Sequence, residues 1–138
     1  MGAVVLLAAT GPAQTAAQKE HGSMIALDEV EWAPIDGTPV KVAMLWGDPR
    51  MGASVRLLKF PAGTVVPNHA HTGDYHGVNL TGIWRHSFSE TGEVRELPPR
   101  SYVFQPGGEM HGDACVGPED CIVLIQQSVA ADYIPQVR

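Results

Sequence analysis

Apolar residues in this chain come in short bursts, and most bursts alternate with polar positions. Val40-Lys-Val-Ala-Met-Leu-Trp46 is one, closed by the turn-forming Gly47-Asp-Pro-Arg-Met-Gly52. Ser54-Val-Arg-Leu-Leu-Lys-Phe60 is the next, closed by Pro61-Ala-Gly63. Val65 to His71 reads as extended, but Pro67 interrupts it, because proline cannot donate to a strand ladder. Tyr75 to Leu80 alternates, and His76, Val78 and Leu80 share the side that its apolar members mark as inward. After Thr81-Gly82, Ile83 to Phe88 returns with Trp84, His86 and Phe88 on one face, up to a hairpin tip at Glu90-Thr-Gly-Glu93. Val94 to Leu97 and Ser101 to Gln105 are short strands around Pro98-Pro99. Met110 to Val116 and Cys121 to Gln127 form the last hairpin, and Ile25 to Trp32 is a weak first strand or arm.

No stretch sustains a helical period for twelve residues. Roughly ten short, evenly spaced strands without crossover helices predict an all-β jelly-roll barrel. A doubly wound α/β fold would need helices that are missing. The barrel is expected over residues 25–130, with the last ten residues covering an edge.

Fifteen glycines and eleven prolines supply the turns, and 138 residues fit one domain. Nine Lys and Arg stand against fifteen Asp and Glu, for a net charge of -6, and no run of three basic residues occurs. That excludes a positive footprint for nucleic acid or an anionic membrane surface. Residues 1–20 differ from the rest. Met1-Gly-Ala-Val-Val-Leu-Leu-Ala-Ala is apolar, and small, turn-prone residues follow up to Ala17. This is the pattern of a signal-peptide remnant, which would place the mature protein in the periplasm or outside the cell. The expected basic n-region is missing, so either the true start lies upstream or this is a mobile cytoplasmic tail. Cys115 and Cys121 flank Val-Gly-Pro-Glu-Asp at opposite ends of a hairpin. They are either a bridge, as export would favour, or two buried thiols.

The chemistry concentrates in histidine. Four of six lie at His69, His71, His76 and His111. His69 and His71 are two apart in an extended segment and so point the same way. Gly73 and Asp74 allow a turn, His76 opens the next strand, and His111 opens another after Pro106-Gly-Gly108. A lone histidine on an apolar face is usually a hydrogen-bonded core residue. Four on one inferred wall favour a divalent metal, because imidazole suits iron, nickel, copper and zinc.

These residues carry a resemblance. Gly63, His69, His71, His76 and Gly82 resemble the first motif of the cupin superfamily, and Pro106-Gly-Gly108-Glu-Met-His111 resembles the second. The resemblance spans about residues 40–127. It implies a cupin-type double-stranded β-helix and a metal site of His69, His71, His76 and His111. The first motif usually carries glutamate where His76 stands, so the implied site is all histidine. Were His76 to swing aside, a three-histidine face would remain, similar to that of cupin dioxygenases that cleave β-diketones. Fe(II) is the favoured ion; manganese, nickel or copper would also fit, and zinc would suit a non-redox role.

Around this set, Asp74 could orient an imidazole or move a proton, or simply be a solvated turn acid. Glu109, two residues before His111, could be a base, an extra ligand or solvent-facing. His86 is either a core histidine or a pocket residue in contact with substrate. Arg56 and Arg100 could pair with a substrate carboxylate, though no spacing selects them, and Asn79 and Gln105 are weak pocket residues. The expected function is a dioxygenase acting on a small enolisable or dihydroxylated organic molecule. The alternatives are a noncatalytic metal- or ligand-sensing module and a non-redox isomerase or lyase. A solvent-open cavity favours catalysis, whereas a closed four-histidine site favours sensing. The apolar outer strands would permit a homodimer.

Overall fold

The computed structural model describes residues 21–137, so the expected tail or signal remnant at residues 1–20 lies outside the described residues. Ile25 to Trp32 is not a strand. It contains one 3-10 turn, Leu27–Glu29, in which the Glu29 carboxylate accepts the Ala26 N–H at 3.0 Å. The strands begin with β1 (Ala33–Pro34), β2 (Lys41–Gly47), β3 (Ser54–Phe60) and β4 (Val65–Ala70). They continue with β5 (Tyr75–Thr81), β6 (Trp84–Phe88), β7 (Val94–Leu97) and β8 (Tyr102–Gln105). The last are β9 (His111–Cys115), β10 (Cys121–Gln127) and β11 (Ile134–Pro135).

They form two antiparallel sheets, one of six strands in the order β1-β2-β3-β10-β5-β8 and one of five in the order β11-β4-β9-β6-β7. Neighbours in a sheet are mostly distant in sequence, and the facing sheets make a jelly-roll barrel. Phe60, Tyr75, Trp84, Leu97, Val103, Val123 and Ile125 pack between them. A disulfide joins Cys115 of β9 to Cys121 of β10 and so staples the two sheets together. The end of the chain does cover an edge: β11 pairs with Ala70 and His69 of β4.

Two local features set the site. Pro67 lies within β4, and the register with β9 shifts between Val66 and His69. The missing proline N–H is absorbed as an irregularity rather than as a strand end. The shift leaves His69 directly opposite His111. The second feature is the parity of β5, which is the reverse of the one expected. Tyr75, Gly77 and Asn79 are buried, while His76 is exposed. Trp84 from the other sheet lies over Gly77, where an added Cβ would stand 3.1 Å from the indole. The Asn79 amide nitrogen is satisfied inside, donating to the carbonyls of Gly82 and Leu97, each at 2.9 Å, while its Oδ1 has no partner among the described residues.

Candidate metal centre

His69 and His111 face each other from β4 and β9, with ring centroids 4.2 Å apart, and His71 sits just beyond β4. The loop bearing His71 is held from two sides. The Gly108 N–H donates to the His71 carbonyl at 2.8 Å, and Thr72 bonds the Asp132 carboxylate through both its backbone N–H and its hydroxyl. Gly107 is required here, because a Cβ would run into the Thr72 carbonyl, and Gly108 adopts a left-handed φ of 79°.

Each imidazole is oriented by the backbone. His69 Nδ1 donates to the Pro67 carbonyl at 2.8 Å, His71 Nδ1 to the Asp132 carbonyl at 2.6 Å, and His111 Nδ1 to the Glu109 carbonyl at 3.3 Å. A carbonyl can only accept, so the proton is on Nδ1 in all three rings and the Nε2 lone pairs are free. Ligand atoms of the three rings lie within 4.8 Å of one another. Burial pushes His69 and His71 below the ordinary imidazole value and takes His111 down to about 3, with the nearby Asp113 charge opposing the shift. The rings are therefore neutral at pH 7, as metal ligands must be.

Asp113 stands two residues beyond His111. Its Oδ1 accepts from Trp84 Nε1 at 2.8 Å and from His86 Nδ1 at 2.7 Å. Its Oδ2 lies 3.9 Å from His69 Nε2 and 3.8 Å from His111 Nε2. Burial works to raise this carboxyl, but the His86 hydrogen bond and the neighbouring imidazoles outweigh it and bring it to about 2. Lone pairs thus converge with hardly a proton among them, the nearest being the Tyr75 hydroxyl, 3.5 Å from His111 Nε2. This donor set fits a divalent cation. His69, His71 and His111 would hold it, with Asp113 Oδ2 beside it.

The other expected residues fall elsewhere. His76 is on the outer face, donating from or accepting at Nδ1 with the Tyr102 hydroxyl at 2.7 Å and packing near Phe104. It does not join the cluster, because the β5 parity turns it outward and gives the inward place to Tyr75. Asp74 is an exposed turn acid whose Oδ1 accepts the Gly107 N–H at 2.7 Å, which ties the His71 turn to the one before His111. Glu109 contributes its backbone carbonyl, not its carboxylate, to the orientation of His111. His86 is buried behind Asp113 and does not line the cavity at the centre.

His86 nevertheless matters to the charge. Its Nε2 meets Gln105 Oε1 at 3.0 Å, and the Gln105 amide nitrogen donates to the carbonyls of Pro106 and Glu109, which fixes that orientation. Acceptors on both sides call for a doubly protonated ring. Burial opposes this, yet the Asp113 and Gln105 hydrogen bonds and the Asp113 charge raise the His86 pKa above its ordinary value. His86 touches the centre only through Asp113, whose carboxylate it holds by that hydrogen bond. Asp113 itself had a signal in the sequence, since it shares strand parity with His111. Tyr133, which stacks on His69 at 4.5 Å, had none.

The cluster opens onto a cavity of about 380 Å³ between the sheets. Val42, Met44, Leu58, Phe60, Val123 and Ile125 belong to its apolar wall, and His69, His71, Tyr75, Asp113 and Tyr133 also line it. An apolar chamber with a few convergent polar groups is the usual form of a small-molecule site.

Barrel and histidine cluster together define a cupin. The chain belongs to the ChrR cupin-like domain family, whose sequence model matches residues 19–130. Solved structures agree on the fold. ChrR of Rhodobacter sphaeroides, in complex with SigE, is 27% identical, with 75% of this chain and 52% of that one covered at a TM-score of 0.59. The polyketide cyclase RemF of Streptomyces resistomycificus is 16% identical, with 86% and 88% covered at 0.67. KdgF of a Halomonas species is 22% identical, with 77% and 94% covered at 0.63. No curated protein matches the sequence.

Proposed function

We propose that this cupin holds a divalent metal, Fe(II) by preference, on His69, His71 and His111, and acts as a dioxygenase on a small enolisable or dihydroxylated molecule. The observation that carries this reading is the convergence of three backbone-oriented imidazoles, two of which, His69 and His71, line an apolar cavity of about 380 Å³. With His76 facing outward, His69, His71 and His111 would hold the ion, and the cavity beside them would leave room for a small substrate. The ion would supply Lewis acidity and one-electron chemistry toward oxygen. The chain supplies the rest. Asp113 Oδ2 can accept a hydrogen bond from a substrate hydroxyl. The Tyr75 phenol stays protonated because burial raises its pKa well above the ordinary value, so it can donate to an oxygen near His111. The apolar wall excludes water. The Cys115–Cys121 bridge supports an oxidising compartment for the mature domain.

The test is anaerobic reconstitution with Fe(II), followed by oxygen uptake measurements over a panel of β-diketones, catechols and hydroxy acids. Uptake matched to substrate loss supports the reading, and none across the panel sinks it. The second reading is a sensing module. The family and the likeness to ChrR, an anti-sigma found with SigE, favour it. On that reading ligand or oxidant would change metal content or partner binding without turnover.

A further inference from the structure

Arg56 on β3 is 7% exposed and lines the same cavity. Its Nη1 donates to Ser54 Oγ at 3.0 Å and its Nη2 to Gln127 Oε1 at 3.1 Å. These bonds use two of five N–H groups, and both acceptors are neutral. Among the described residues no carboxylate forms an ion pair with it. Asp48, which also lines the cavity, is engaged with Arg50 at 2.7 Å. An unpaired buried charge is costly to a folded protein. Burial draws the guanidinium down, but only to about 10, so it remains a cation at pH 7.

The shortage of acceptors extends to its neighbour. Gln127 Oε1 serves Arg56, and Gln127 Nε2 is buried with no partner among the described residues. Turning the amide over would set its N–H groups against the guanidinium, so no orientation satisfies both atoms. Gln127 stands opposite Ser54 on one side and Tyr75 on the other, with Arg56 one step along the same face. The Arg56 hydrogen bond to Gln127, the partner of Tyr75, sets Arg56 toward the end of the chamber where Tyr75 and His71 stand.

We propose that Arg56 anchors a carboxylate and that the cavity takes a small apolar organic acid, its acid group on Arg56 and its body against Val42, Met44 and Leu58. A planar guanidinium matches a carboxylate through two parallel bonds. One cation among neutral donors suits a monoanion; a phosphate dianion would want a second free cation, and Arg50 is already paired. This inference rests on reading the cavity as a ligand site and names its substrate class, without depending on the reaction.

The experiment is calorimetric titration of the metal-free protein with phenylacetate and octanoate, against phenylacetamide, octanamide and inorganic phosphate. The acids should bind at least tenfold more tightly than their amides, the span expected of a charge-assisted bond, and phosphate should bind more weakly than the acids. Arg56→Met should lose that preference, keep its zinc stoichiometry, and show a thermal midpoint no lower than the parent, since it removes an unpaired buried charge. Arg56→Lys, which keeps the charge without the planar fork, should retain only part of the preference and covers the case in which the methionine variant does not fold. Equal binding of acid and amide, no binding of any acid, tighter binding of phosphate, or an undiminished preference in either variant would overturn the proposal. Acid binding without oxygen uptake on any substrate would leave it standing while ending the dioxygenase reading.

Discussion

On the five-stranded sheet and its His71 loop, the polar atoms that converge are lone pairs without protons: the Nε2 atoms of His69, His71 and His111 and Asp113 Oδ2, with His69, His71 and Asp113 lining the cavity. On the six-stranded sheet Arg56 reaches the cavity with only two neutral acceptors for its guanidinium, and Gln127, which supplies one of them, has an Nε2 with no partner among the described residues. Asn79 of the same sheet falls between the two: its amide nitrogen donates to two carbonyls, while its Oδ1 has no partner among the described residues. Folded proteins seldom leave buried polar groups unmet. On the readings proposed above, these opposite shortfalls suit the two ends of a ligand site, one asking for a cation and the other for an anion.

The harshest way to break this contrast is to remove the lone pairs. Replacing His69 and His71 together by alanine should abolish stoichiometric metal uptake, read by elemental analysis of protein reconstituted with Fe(II) or Zn(II). Full metal content in that variant would mean that the lone pairs serve some other end.

Acid attacks the same sheet without mutation. For His69, His71 and His111 the folded pKa is depressed, so the unfolded chain takes up protons that the folded one refuses. Their contribution is complete above about 6.5 and is lost as pH falls toward about 3 for His111. Asp113, lowered to about 2, adds a loss at still lower pH. His86 is raised and works the other way, adding stability below about 6.5 that disappears as pH rises through its folded pKa. Three lowered rings against one raised ring predict a net fall in the urea midpoint of metal-free protein between pH 6.5 and 4. Bound metal should be released over the same interval. A flat or rising midpoint would contradict the neutral state of the cluster.

Asp113→Ala sharpens the comparison by stranding His86. It removes one partner of a buried charged pair and should cost about 3 kcal/mol, measured by urea unfolding. The His86 pKa, followed by NMR, should drop. Unchanged stability would show that Asp113 does not hold that proton in place.

The mildest change is on the outside. His76→Ala loses one exposed contact with Tyr102 and should shift stability by no more than about 0.5 kcal/mol, with metal content unchanged. Loss of metal there would return His76 to the ligand set.

Much of this site is legible in the chain because strand parity is local. His69 and His71 had to share a face, and Pro106-Gly-Gly108 had to deliver His111 at the start of a strand. What misled was β5, where Val78 and Leu80 mark His76 as inward. Apolar residues also occur on the outer faces of sheets, and the decisive fact is that Gly77 makes room for Trp84, a contact between sheets that no local pattern displays. Asp113 was readable as the residue two beyond His111, on the same face of an extended strand. Arg56 was visible as a cation, but its lack of a partner is a property of the whole interior.

The ligands also carry a kinetic consequence. His69 and His71 meet His111 only once β4 has paired with β9 across a long stretch of chain, and the His71 loop closes only when Gly107, Gly108 and Asp132 have arrived. Such non-local contacts form late, after loop closure has been met. An ion held by these rings would thus bind a structure already assembled and would be absent from the folding transition state. Interactions of that kind leave the refolding rate alone and lengthen the lifetime of the native state. The metal would act as a latch on the finished barrel, with its loss felt first in how soon the molecule opens.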